Sequence, residues 1–419
     1  MMPRHPAVIG WDIGGAHVKA ALVRNGRLEA VRQWPCALWQ GLHLLDPVID
    51  DALADWMPAH RPESGSRRRS LPNTPAGSDA GAHFDRRPEH AVTMTGEMVD
   101  LFESREDGVI RLVRHLRQRL GPKLRFFCGS GEWVDSAAGA ERWQDMASAN
   151  WAATARLVAG RLDEASREGI ARVGHPAQAV GQTAGPATAV EQHAKGRALL
   201  VDIGSTTTDF IPLADGEILA SGGGDAQRLR SGELLYQGAA RTPLCALTQT
   251  IEFGRQRYNV MNEWFATTAD VYRLTGELDP GHDQHPAADG GAKSIEGSCR
   301  RIARMIGHDA QDASVEDWTT FAREWRRLQI SLLESGMEAV ERKGSPSPLA
   351  TTLSGGTMTL IGAGCGSFLV RALARTTGRA YIDFDELVDA PDSLREWVNV
   401  CAPAVAVALL REQACRAVP

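Results

Sequence analysis

An α/β architecture of two related lobes around one phosphate-binding cleft is what this sequence predicts, and three observations predict it. Strand-like and helix-like patterns alternate through the N-terminal third. A strand, a glycine turn, a second strand and a hairpin turn recur at one fixed offset, with Asp202 and Gly204 lying 190 residues beyond Asp12 and Gly14. Each copy closes its first strand with an aspartate and a tight glycine turn, an arrangement that gathers backbone N–H groups around an anion.

In chain order, residues 7–12 and 18–24 are short apolar strands. Asn25-Gly26 supplies the positive φ angles of a two-residue hairpin, and 28–34 is the return strand. Asp46-Pro47 reads as a helix start, a capping acid followed by proline at the first helical position. Val48, Ile49, Ala52, Leu53 and Trp56 then keep helical spacing. Residues 91–95 are strand-like, 108–120 form an amphipathic helix, and 124–128 make a further strand. Three hairpin strands followed by alternating helix and strand give a mixed sheet covered by helices, the ribonuclease-H-like arrangement. The pattern restarts at residue 198, where Ala198 to Ser205 aligns without a gap to Val8 to Gly15, and Asp215-Gly216 repeats Asn25-Gly26. The expected division is a first ribonuclease-H-like lobe over 1–195 and a second over 198–419, with the last helix packing back on the first. Three segments, 60–90, 172–196 and 281–297, read as loop insertions, and the Arg67-Arg68-Arg69 run in the first as a solvated stretch.

The 419 residues, 43% of them hydrophobic, suffice for two or three domains with real cores. With 52 acidic against 46 basic residues and a net charge of -6, the chain has no nucleic-acid footprint. Its seven cysteines are odd in number and form no Cys-x-x-Cys pair, which argues against a disulfide framework or zinc ribbon and for a reduced cytoplasm. The N-terminus lacks the apolar core and cleavage site of a secretory signal. No apolar run approaches the ~20 residues that span a bilayer, so no membrane partner is expected.

The chemistry centres on the paired turns. Asp12 and Asp202 are candidate ligands of a Mg²⁺ held between phosphates. Gly14, Gly15 and Ala16, with Gly204, Ser205, Thr206 and Thr207, are candidate diphosphate contacts. Gly362-Ala363-Gly364-Cys365-Gly366 is a third glycine turn ahead of an apolar helix, and Gly362 and Gly364 join the diphosphate set. Its spacing is not that of a dinucleotide fingerprint, and Cys365 reads as a small turn residue more readily than as a nucleophile. Glu97, after the 91–95 strand, suits a general base, a metal-shell acid or a helix cap. Lys19 follows the first turn, where it reaches a phosphate or lies on the surface. Asp209 is its counterpart 190 residues on, and both join Glu97 as candidate catalytic groups. Residues 231–243 have the profile of a binding loop in which Arg241 clamps phosphate or carboxylate.

Together these motifs resemble the acetate kinase, sugar kinase, heat-shock chaperone and actin superfamily, and within it the hydantoinase A/oxoprolinase-like group. Met94-Thr95-Gly96-Glu97, Ala147-Ser148-Ala149-Asn150-Trp151, Gly232-Glu233-Leu234 through Arg241-Thr242-Pro243, and Ala269 to Gly276 look like the branch that builds methanofuran-type cofactors for tetrahydromethanopterin-linked one-carbon metabolism. The resemblance implies two actin- or sugar-kinase-type lobes. It also implies a transferase condensing an aminomethyl-furfuryl diphosphate with a tyramine- or tyrosine-derived phenol, releasing pyrophosphate. The partners would be small molecules, and a homodimer is compatible with this reading. Two alternatives stay open on the same scaffold: an ATP-dependent kinase or amidohydrolase, and a non-catalytic ATP-binding scaffold.

Overall fold

The computed structural model describes residues 6–57, 87–173, 197–343 and 358–417. The Arg67 to Arg69 run and most of the 60–90 and 172–196 segments lie outside them.

The first sheet begins with an antiparallel meander, β1 (Val8–Ile13), β2 (His17–Arg24) and β3 (Arg27–Pro35). Asn25 takes φ 52° and Gly26 φ 81°, so the hairpin has the two left-handed residues that its sequence requires. Helix α1 (Leu45–Trp56) leads to β4 (Glu89–Met94), which pairs parallel to β1. Helix α2 (Arg105–Leu120), capped by the Ser104 hydroxyl accepting from Asp107 N–H at 3.1 Å, leads to β5 (Leu124–Phe127) and then β6 (Trp133–Val134). The strand order is β3-β2-β1-β4-β5-β6. All six residues of β1 are buried, as a central strand covered on both faces demands. The short α3 (Trp143–Met146) and the long α4 (Asn150–Val173) follow.

The second sheet repeats the plan. β7 (Arg197–Ile203), β8 (Thr208–Ala214) and β9 (Glu217–Ile218) form the meander, with Asp215 at φ 50° and Gly216 at φ 79° in its turn. After α5 (Asp225–Ser231), β10 (Leu234–Leu235) pairs with the start of β8, at Thr208 and Asp209. A separate hairpin, β11 (Thr250–Phe253) and β12 (Gln256–Asn259), and three helices, α6 (Thr268–Thr275), α7 (Ile295–Arg304) and α8 (Val315–Lys343), pack Trp318, Phe321 and Trp325 into one apolar cluster with Leu199, Val201 and Phe210 of the second sheet. β13 (Thr359–Ala363) then pairs parallel to β7. After α9 (Ser367–Thr377), β14 (Tyr381–Asp383) extends the sheet to β10-β8-β7-β13-β14. α10 (Arg395–Val400) and α11 (Ala402–Ala417) end the chain. Both sheets are thus ribonuclease-H-like: an antiparallel meander whose first strand takes a parallel partner on its other edge.

One apolar cluster draws on both sheets, Val8 and Ala21 from the first and Leu200 and Ile211 from the second, joined through alanines of α4 and α11. Among the described residues no single helix is long and apolar enough to cross a membrane. All seven cysteines are unpaired.

Three sequence expectations need correction. Asp46 is not the cap of α1, because the helix starts at Leu45; Asp46 sits in its first turn and binds His115 Nε2 at 2.9 Å. The first insertion ends before 90, since Glu89 and His90 already pair in β4, and α4 runs on to Val173. The 281–297 segment is a loop only as far as Ser294. His282 and Asp283 are buried in it, and α7 begins at Ile295.

Candidate functional site

The two turns are built alike. Gly14 N–H donates to His17 O at 2.9 Å, and Gly204 N–H to Thr207 O at 2.9 Å. These two N–H groups close their turns, and Gly14 and Gly204 both line the cavity between them. Register then sets what faces what: Asp12 stands opposite Lys19, and Asp202 opposite Asp209. All of them line a cavity of about 380 Å³, together with Gly15, Ala16, Ser205, Thr206, Thr207 and Arg241. The sequence therefore brought most of its candidates to one place.

Charge is compensated differently at each turn. Lys19 Nζ lies 3.7 Å from Asp12, and burial still raises that carboxyl above its ordinary range. Burial opposes the charge on Lys19, but Asp12, Cys401 and Asp202 hold its ammonium up. Asp209 pairs with Arg228 at 3.0 Å, and the Arg228 guanidinium lies 3.9 Å from the Trp151 ring centroid. Among the described residues Asp202 has no such partner of its own. Burial, then the charges of Asp209 and Asp12, push it to about 7 despite Lys19.

The 231–243 segment is laid against the second turn: Ala239 N–H reaches Gly204 O at 2.9 Å, and Arg241 N–H reaches Ser205 O at 2.8 Å. This places the Arg241 side chain in the cavity, 3.4 Å from Thr206 Oγ1.

Glu97 is placed otherwise than expected. It sits in a one-turn 3₁₀ helix with its side chain fully buried, and it does not line the cavity. The Ser148 hydroxyl lies 2.8 Å from Glu97 Oε1 and 3.1 Å from Asp225 Oδ2, and Arg105 Nη2 reaches Ser148 Oγ at 3.0 Å. Burial raises the Glu97 carboxyl above its usual range. The carboxylate facing the cavity at this end is Asp225.

The third glycine turn is also corrected. Gly364, at φ 82°, donates to Asn399 O at 2.9 Å, and Gly366 donates to Ile203 O at 2.8 Å. A side chain at Gly364 would collide with the Ile203 carbonyl, so this glycine serves close packing beneath Asp202. Gly362 lies within β13 against Tyr381. Neither Gly362 nor Gly364 lines the cavity. Burial pushes the Cys365 thiol up to about 11, which leaves it a poor nucleophile.

A model of the hydantoinase/oxoprolinase family matches residues 176–384. A "(4-{4-[2-(gamma-L-glutamylamino)ethyl]phenoxymethyl}furan-2-yl)methanamine synthase" of Methanococcus vannielii is 34% identical over 154 residues, covering 37% of this chain and 69% of that protein. This chain belongs to the family of that synthase. The synthase of the same name from Methanocaldococcus jannaschii is 25% identical over 253 residues, covering 60% of this chain and 67% of that one. Among solved structures, nucleotide-free acetone carboxylase aligns with 97% of this chain and 70% of its own at a TM-score of 0.47 and 13% identity.

Several site residues of this family member escaped sequence reasoning. Asp225 and Arg228 follow three consecutive glycines at the start of a helix, a signal that was present. Ser148 lay in a stretch already noted for its resemblance. His285 carried no signal. It comes from the 281–297 segment and meets His17 edge-on, with ring centroids 4.3 Å apart.

Proposed function

We propose that this chain is a transferase that condenses an aminomethyl-furfuryl diphosphate with a phenol, forming the aryl ether and releasing pyrophosphate. The relatives' names describe such a product, a phenoxymethyl group on a furan that also carries a methanamine. The observation that carries the proposal is the pair of turns facing one cavity, with Lys19 and Arg241 as cations and Asp12 and Asp202 as carboxylates.

In the proposed step a lone pair on the phenolic oxygen forms the new bond to the furfuryl methylene, and the phenolic proton passes to the departing pyrophosphate. The bond from that carbon to the diphosphate oxygen breaks, and its electron pair leaves with pyrophosphate. The furan oxygen stabilises the positive charge that develops on the methylene. Lys19, Arg241 and the hydroxyls of Ser205, Thr206 and Thr207 meet the growing negative charge on the leaving group. Asp225 lines the same cavity and suits the cationic methanamine end of the furan.

A divalent cation fits this site. Among the described residues Asp12 Oδ1 is buried without a hydrogen-bond partner, and Asp202, raised to about 7, has no ion-pair partner of its own. Mg²⁺ held by Asp12 and Asp202 would neutralise diphosphate oxygens. The setting we propose is the cytoplasm, where seven unpaired cysteines stay reduced.

The test is pyrophosphate release from the aminomethyl-furfuryl diphosphate, with phenol and Mg²⁺ each present or omitted. Release that needs both is the expected result. No release, combined with thermal stabilisation by ATP equal to that by pyrophosphate and Mg²⁺, overturns the proposal.

A further inference from the structure

A second cavity of about 210 Å³ adjoins the first, and Arg241 lines both. Two large aromatics open onto it, Trp39 at 41% exposure and Trp264 at 58%. Leaving two indoles in water at one cavity is costly unless something planar covers them. Asp283, which also lines it, is ion-paired to Arg273 and Lys293, so the wall from the 281–297 segment is held in place.

The junction between the cavities is polar and unsatisfied. His17 lines the first and His285 the second, and their rings touch. His17 is only 7% exposed, and among the described residues neither its Nε2 nor that of His285 has a hydrogen-bond partner. Burial, with the neighbouring Arg241 charge among the causes, holds His17 near 2 and His285 near 4, so both rings are neutral at pH 7. A neutral ring nitrogen accepts a hydrogen bond from an O–H group.

We infer that this second cavity is the acceptor subsite: it takes the phenol against Trp39 and Trp264 and delivers its hydroxyl to the His17–His285 junction beside the leaving-group cavity. The inference rests on the condensation proposed above. It assigns the two substrates to two cavities that share Arg241. Drug-sized ligands occupy pockets of roughly 300–1,000 Å³, so the smaller cavity suits one substituted ring better than a nucleoside.

The experiment titrates the full-length protein with tyramine, with pyrophosphate and Mg²⁺ present, and follows tryptophan fluorescence and calorimetry. Wild type is compared with Trp264→Ala, Trp39→Ala and His285→Ala. Both indoles are exposed, and thermal melts confirm that each variant folds. Tyramine binding that weakens about tenfold or more in Trp264→Ala and severalfold in Trp39→Ala and His285→Ala, with pyrophosphate affinity unchanged, supports the subsite. Unchanged tyramine affinity in both tryptophan variants, absence of tyramine binding to wild type, or displacement of tyramine by adenosine overturns it. Pyrophosphate release separates the two claims. Phenol-dependent release with an unaltered phenol KM in Trp264→Ala sinks the subsite and leaves the reaction. Tyramine bound at the tryptophans without any release sinks the reaction and leaves the subsite.

Discussion

The two strand–turn–strand units share a backbone and differ in charge. In the first, Asp12 faces a lysine across the ladder and is neutralised by its own hairpin. In the second, Asp202 faces another acid, and Arg228 must come from α5 to balance Asp209. The lysine position in one copy is an acid in the other, so the repeat preserved geometry and let electrostatics diverge. That divergence leaves Asp202 short of positive charge in a buried site, which makes the second turn the stronger attractor for an added cation.

Removing the imported charge should have the largest effect. Arg228→Ala strips Asp209 of its buried partner and should cost about 3–5 kcal/mol in urea unfolding, the usual penalty for stranding a buried charge. Lys19→Ala should cost less, because Lys19 is only partly buried, while abolishing most pyrophosphate binding. Equal destabilisation by the two variants would break the contrast between the turns.

Next comes pH. The Asp202 carboxyl rises from 3.8 to about 7 on folding, so the folded protein keeps a proton that the unfolded chain gives up. This stabilises the fold fully below about 3.8 and is lost as pH climbs through about 7, at most roughly 4 kcal/mol. Other groups have slopes of their own, so the readout is the difference between wild type and Asp202→Asn in metal-free buffer. A difference that is flat with pH would deny Asp202 its raised value. Mg²⁺-dependent pyrophosphate affinity should rise over the same interval, because the metal displaces that proton.

A smaller effect separates the aspartates themselves. Asp202→Asn should weaken Mg²⁺-dependent pyrophosphate binding by about 10–100-fold, roughly 1.4–2.8 kcal/mol. Asp12→Asn should weaken it by about tenfold or less, since Lys19 already offsets that charge. Calorimetry with both variants decides the order, and the reverse ranking would place the cation on the first turn.

The smallest change is expected from Glu97→Gln. Its carboxyl is enclosed, raised by burial and bonded to Ser148, so the amide should hold the same place within about 1 kcal/mol and keep turnover within severalfold. A loss of about 10²–10⁴-fold in turnover would restore Glu97 as the proton acceptor.

Much of the fold was legible because repetition is written directly into sequence. Asn25-Gly26 and Asp215-Gly216 marked both hairpins, and the offset placed Asp12, Lys19, Asp202 and Asp209 in corresponding positions. What stayed hidden depended on partners distant in the chain. A glycine turn that cradles an anion and one that packs against a carbonyl have the same letters. Gly364 became the second kind only once Asn399 and Ile203 arrived to occupy its neighbourhood. Glu97 looked like a cleft acid until Ser148 and Asp225 came between it and the cavity. The 281–297 segment, rich in glycine, alanine and histidine, gave no periodicity to follow, yet it supplies His285.

The last helix has a consequence for the order in which the molecule can be completed. α11 lies against β1, with Gly10 so close that a side chain there would collide with the Ala404 carbonyl, and Glu412 accepts from Gly26 N–H across 386 residues. Pro403, in its first turn, lines the leaving-group cavity. During translation the strands of the first sheet emerge early, but the helix that covers them emerges only after the whole second sheet. Until then the nascent chain carries an uncovered apolar face and an unfinished site, and a chain released before residue 402 should collect in the insoluble fraction.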